Sequence, residues 1–131
     1  MSLATAAEAA ILAHARRLAP EECCGLLLGK DADVLEAVAV ANVAEDRRRR
    51  YRIDPPDHFR IMHEARRRAL TVIGAYHSHP RSAAVPSETD RAEAFSEFLF
   101  LIAGLGIDPP ELRAWIYTDG NFVPVPLVRH L

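Results

Sequence analysis

Cysteine is scarce in this sequence. There are two, Cys23 and Cys24, adjacent and without a distant partner. No disulfide framework can be built from them, which fits a reducing cytoplasm. Long apolar runs are also missing: none reaches the roughly 18 residues that cross a bilayer, so no membrane partner is expected. Positive charge is not in excess. Lys and Arg number 16 against 18 Asp and Glu, a formal charge of −2. That argues against a protein drawn to nucleic acid by its field. A secretory leader is not legible. The opening MSLATAAEAAILAHARRLAP carries Glu8 early and its arginines after the apolar stretch, the reverse of the order secretion needs. Repeats, low-complexity tracts and linkers are absent.

What is present is a chain of 131 residues, half of them apolar and 26% charged. This suits one domain spanning 1–131, able to bury roughly two thirds of its unfolded surface. Residues 5–18 read as a helix, dense in Ala, with Ile11, Leu12, Ala15 and Leu18 at helical spacing. CGLLLG (24–29) reads as a buried strand and VLEAVAVANV (34–43) as a second. Four arginines follow at 47–50, on a solvated edge strand or turn, or as a surface for an acidic partner. They lack the interleaved aromatics of a nucleic-acid binder. PPDHFRIMHEARRRAL (55–70) reads as a helix with prolines at its start. Phe59, Met62 and Leu70 are expected on its inner face, Arg66 to Arg68 outside.

TVIGAYHSH (71–79) reads as a strand and 87–98 as a third helix opened by Ser87. Three strands then follow, the last two joined by a tight Asp119-Gly120 turn. Pro124 and Pro126 place the last at an edge, and Trp115 is expected in the core. The order α-β-β-β-α-β-α-β-β-β indicates an α/β fold, a mixed sheet with helices packed on it.

The stretch GAYHSHPRSAAVPSETD (74–90) carries the chemistry. His77 and His79 lie two apart on a strand, so both imidazoles leave one face. Ser87 and Asp90 lie three apart on the first turn of a helix and share a face. Two imidazoles and a carboxylate, with room for a water, are the usual protein share of a catalytic zinc site. Ser87-x-x-Asp90 is equally a capping box, which needs no metal. No residue of this stretch offers itself as a base. His14, His58, His63 and His130 have no partners legible in the sequence.

HSHP, six residues, then Ser-x-x-Asp resembles the motif of the JAMM (MPN+) metalloproteases. The family's upstream glutamate, three residues before the first glycine of a Gly-Leu-Leu-x-Gly strand, is matched by Glu22 in PEECCGLLLG. The chain is most similar to small bacterial stand-alone members, without the long insertions of eukaryotic deubiquitinases. The resemblance implies a JAB1/MPN domain with the three-layer architecture of cytidine deaminases, and one zinc per chain held by His77, His79 and Asp90. It further implies Glu22 as general base then acid, and Ser87 as donor to the developing oxyanion. Ser78 would be structural, and Cys24 a small buried residue beside the site. The implied activity is hydrolysis after the C-terminal Gly-Gly of ubiquitin-like β-grasp proteins, bacterial sulfur carriers among them. The competing readings are an inactive MPN scaffold and a general small-peptide metallopeptidase. The sequence is compatible with a homodimer.

Overall fold

The structure is a computed structural model and describes residues 1–94 and 98–130. A short strand β1 (Ser2–Ala4) runs into helix α1 (Thr5–Leu18). The hairpin β2 (Cys24–Lys30) and β3 (Asp33–Val40) follows, then helix α2 (Pro55–Arg67) and strand β4 (Thr71–His79). Helix α3 (Glu88–Glu93) leads to β5 (Leu99–Gly104), β6 (Glu111–Thr118), β7 (Asn121–Val125) and β8 (Val128–His130). The strands form one mixed sheet in the order β7-β6-β5-β4-β2-β3-β1-β8. Among the described residues, no helix is long and apolar enough to cross a membrane.

The β2 sequence CGLLLGK serves two layers at once because successive side chains leave opposite faces. Leu27 faces α1 and packs in a cluster with Ala7, Ile11, Ala15, Tyr76 and Leu101. Leu26 and Leu28 face α2 and meet Ile61, Ala65, Ala75 and Phe100. The result is the expected helix–sheet–helix stack. Ile11, Leu26 and Leu27 are at most 1% exposed, and burying a side chain of that size contributes about 1.5–3 kcal/mol. Gly25 makes one contact possible: a Cβ there would run into the ring of Tyr76, its cross-strand partner. The Tyr76 hydroxyl instead reaches Nδ1 of buried His14, 2.8 Å away, a partner that the sequence did not reveal.

Central β4 pairs antiparallel with β2 and parallel with β5. A parallel pair needs a crossover, and the segment containing α3 supplies it. This brings α3 to the carboxyl end of β4, where ligands gather in open α/β sheets. The hairpin turn at Asp119 and Gly120 has φ of 51° and 76°, the left-handed pair of a type I′ turn. Strand β7, with Pro124, is an edge as expected.

Three expectations need correction. Phe59 and Met62 do not form the inner face of α2. They are 69% and 39% exposed, and the stripe that packs is Ile61 and Ala65 at i, i+4. Of the two readings of the arginine run, edge strand or turn, the structure has the turn, and among the described residues an isolated bridge beside it joins Asn42 to Ile53. Strand β1 precedes α1 and pairs with β3 and β8, which short length and end-to-end separation hid. Helix α3 closes at Ala94, whose ψ of 143° is extended. The part of the expected helix at 95–97 lies outside the described residues.

Candidate metal centre

His77 and His79 occupy alternate positions at the carboxyl end of β4, on the face that α2 covers. Asp90 sits in the first turn of α3. Its Oδ2 lies 3.1 Å from Nε2 of His77 and 3.1 Å from Nε2 of His79, and the two imidazole nitrogens are 3.2 Å apart. All three residues are buried, none more than 6% exposed. They form the cluster able to hold a metal ion among the described residues.

The donor set fits a cation. Nδ1 of His79 lies 2.9 Å from the Ala83 carbonyl and donates to it, which leaves the Nε2 lone pair turned to Asp90. In the neutral ring, lone pair and carboxylate then face each other in a buried space, and such a pair needs a proton or a metal between them. The three separations also match the edges of a tetrahedron, about 3.3 Å for bonds of about 2.0 Å. Titration follows the same logic. Burial holds His77 below the usual histidine range. Burial also pulls on His79, but its bonds to Asp90 and Ala83 outweigh it and the shift is upward. Burial would raise Asp90, yet the two imidazoles and the Ser87 amide hold it well below the usual carboxylate range.

The capping-box reading of Ser87-x-x-Asp90 is realised in the structure. The Ser87 hydroxyl accepts from the Asp90 amide at 3.0 Å, and the Ser87 amide donates to Asp90 Oδ2 at 2.9 Å. This is a complete capping box. The oxygen that closes the helix is the same one that faces both histidines. The Ser87 hydroxyl keeps its own proton free to donate outward.

Glu22 reaches the site through the end of the β2–β4 ladder. The Ser78 hydroxyl accepts from the Cys23 amide at 2.8 Å, and the Ser78 amide donates to the Cys23 carbonyl at 3.1 Å. Ser78 is thus structural and fastens the residue next to Glu22. Glu22 is 5% exposed, and its Oε1 has no hydrogen-bond partner among the described residues. Burial pushes its carboxyl up to about 8, with Asp90 and Asp46 adding and His79 opposing. Glu22, His79 and Ser87 line one cleft of about 440 Å³, together with Arg48, Arg49 and Arg81. A buried carboxyl with a raised affinity for protons, facing a cleft, has the properties of an acid–base group.

Two contributors escaped sequence reasoning. Tyr51 stacks on His77, with centroids 4.4 Å apart and planes at 20°. Asn42 uses its whole amide: Nδ2 donates to the carbonyls of Glu22 and Arg50, and Oδ1 accepts from the amides of Ala44 and Arg52. An aromatic directly after a basic run was a weak signal for Tyr51; nothing in periodicity pointed to Asn42. Cys24 is small and buried as expected, its thiol pushed up to about 12 by burial, and Cys23 is likewise free. Trp115 is half-buried rather than fully in the core, and its Nε1 donates to the Ala84 carbonyl at 3.1 Å. That bond holds the loop following His79. Tyr51 also lines an apolar groove of about 410 Å³ that runs between α2 and the sheet, bordered by Ile53, Phe59, Met62 and Phe100.

Known proteins share the family and the fold of this chain. The family described as prokaryotic homologs of the JAB domain matches residues 4–117. A desampylase of Haloferax volcanii is 41% identical over 110 residues, covering 78% of each chain. A probable TtuB-protein conjugate cleaving protease of Thermus thermophilus is 31% identical, over 85% of this chain and 72% of that one. A CysO-cysteine peptidase of Mycobacterium tuberculosis is 31% identical, over 90% and 83%. Among solved structures, a protein of Desulfitobacterium hafniense superposes with a TM-score of 0.89 at 26% identity, covering 98% of this chain and 92% of the other. The structure described as a JAMM metalloprotease-like zinc site in the proteasome and signalosome shares the fold, with a TM-score of 0.60 at 22% identity over 98% and 97%. The chain belongs to the prokaryotic JAB family, as a small member of the JAMM metalloproteases.

Proposed function

We propose that the protein hydrolyses the bond after the C-terminal Gly-Gly of a ubiquitin-like β-grasp protein, a sulfur carrier in the first instance, in the cytoplasm. The observation that carries this reading is the convergence of His77, His79 and Asp90 in one buried cluster, with Glu22 and Ser87 on the adjoining cleft. The relatives' names, a desampylase, a probable TtuB-protein conjugate cleaving protease and a CysO-cysteine peptidase, support the same reading.

His77, His79 and Asp90 would hold one zinc ion per chain. Bound there, zinc supplies Lewis acidity, polarising a carbonyl and acidifying water towards neutral pH. Glu22 takes a proton from the attacking water. The water oxygen bonds to the carbonyl carbon, and Glu22 passes the proton to the amine nitrogen as the C–N bond breaks. Ser87 donates a hydrogen bond to the carbonyl oxygen as its charge grows. Tyr51 fixes the plane of His77, and burial keeps competing water away from the ligands. A tail of glycines passes close to the cluster where a Cβ would collide. The groove with Phe59 and Met62 at its border gives the folded body of the partner an apolar resting place beside the tail.

The test is a β-grasp sulfur carrier fused through its Gly-Gly tail to a reporter, with each terminal glycine replaced by alanine or valine. Cleavage should fall steeply for the glycine next to the cut. Valine variants cut as fast as the parent would refute Gly-Gly recognition and leave a general peptidase on short peptides.

A further inference from the structure

The arginine run is not uniform in the structure. Arg47 pairs with Glu21 at 3.2 Å, and Arg49 lies 3.7 Å from Asp46. Arg48 has no acidic partner among the described residues and lines the cleft with Glu22. Arg81, from the loop after β4, lines the same cleft and is likewise without an acidic partner there. Both loops are pinned. The Glu22 amide donates to the Arg47 carbonyl at 2.7 Å, and Asn42 holds the Glu22 and Arg50 carbonyls. On the other wall, the Ala84 amide donates to Glu111 at 2.8 Å and the Gly106 amide to the Ser82 carbonyl at 3.2 Å. Two unpaired guanidinium groups are therefore carried beside the cluster on anchored backbone.

The chemistry fixes which part of a substrate enters this cleft. Glu22 must reach the leaving nitrogen to protonate it, so the leaving group occupies the space that Glu22 lines. The apolar groove, which Tyr51 helps to line, shares no lining residue with this cleft. The two sides differ in character: apolar for the acyl partner, cationic for the leaving group. We infer that Arg48 and Arg81 form an anion subsite for the leaving group, which takes the free α-carboxylate of a single amino acid released from the Gly-Gly tail. This rests on the proposed reading of the site. A single amino acid carries its carboxylate on the carbon next to the leaving nitrogen, and so brings that charge into the cleft that Glu22 and the two arginines line. A planar guanidinium binds carboxylate in a fixed fork, which a lysine cannot copy.

Three acetylated peptides test this: Gly-Gly-Ala as the free acid, the same peptide as its C-terminal amide, and Gly-Gly-Asp as its C-terminal amide. The zinc-loaded parent should cut the free acid about tenfold faster than the amide, the size of one charge-assisted contact. In the Arg48→Ala/Arg81→Ala double variant the free-acid to amide ratio should fall towards one. Arg48→Lys should keep part of the preference. A parent without preference, or a double variant that keeps it, overturns the subsite. A parent that favours the Asp amide over the Ala free acid overturns the α-carboxylate and assigns the arginines to acidic side chains. If no peptide is cut, the reading of the reaction fails, and binding decides the subsite alone. Titrating the free acid into metal-free protein should then shift the Arg48 and Arg81 Nε–Hε signals in NMR while the amide does not; equal or absent shifts overturn it. Both residues are exposed, so the variants should fold, and melting curves check this.

Discussion

Asn42 binds the carbonyl of Glu22 at 3.0 Å, and so a buried amide outside any motif sets the position of the proposed acid–base residue. Two of its four hydrogen bonds go to backbone acceptors and two come from backbone donors of the 42–52 segment. The segment that carries Tyr51 and the arginine turn is thereby tied to the start of β2. Asn42→Ala should lower stability by about 2–3 kcal/mol, because buried carbonyls and amides lose their partners. Turnover should fall as well, with metal content little changed. Denaturant unfolding beside kinetics checks both; a variant as stable and active as the parent would refute this role.

Removing a ligand is the direct test of the cluster. His77→Ala and Asp90→Ala should each lose most of the zinc, since two protein ligands rarely hold it against competition. Elemental analysis of purified protein reads this, with about one ion per chain expected in the parent. Zinc unchanged in both variants would sink the site. A chelator should abolish activity and added zinc should restore it.

Glu22 makes a prediction in two conditions. With metal bound, Glu22→Gln should keep the ion and lose about 10²- to 10⁴-fold in turnover. In chelator-treated protein it should change the dependence of stability on pH. Burial raises the Glu22 carboxyl from 4.5 to about 8 in the fold. Between these values the unfolded chain releases a proton that the folded chain keeps, so parent stability falls as pH rises. Gln has no proton to lose. The melting temperature of Glu22→Gln should therefore gain on the parent's from about pH 4.5 to about pH 8. Parallel curves would contradict a buried, proton-retaining Glu22.

Ser87→Ala should carry two separable costs. Losing the hydroxyl donor should slow turnover by about 10²- to 10³-fold. Losing the side-chain half of the capping box should cost about 1 kcal/mol of stability. Ser87→Asn, a fair cap, should recover the stability more than the rate. If both recover together, the serine acts only through the helix.

Much of the site was legible because its elements are local. HSHP and Ser-x-x-Asp each lie within one turn or one strand end, where periodicities of 2 and 3.6 fix which side chains share a face. Glu22 came from a family pattern, since its approach to His79 depends on the β2–β4 pairing, which no spacing predicts. Tyr51 and Asn42 act through a loop folded back on the sheet, and loops leave no period to read. Phe59 and Met62 were misplaced for a different reason. Apolar content marks a face for burial without saying whether the chain itself or a partner buries it. The tight Asp119-Gly120 turn was readable from two letters, whereas the pairing of Ser2 with Val128 had no local trace.

The shared oxygen of Asp90 has a consequence for how the site can change over time. Helix α3 has only six residues, too short to persist without its cap. A substitution that removes the carboxylate takes away the proposed ligand and the start of that helix in one step. On the proposed reading, metal retention and the order of the loop would be inherited together. Hydrogen exchange would show the link: the amides of Ser87 and Asp90 should gain protection when zinc is added and lose it with chelation, as one unit.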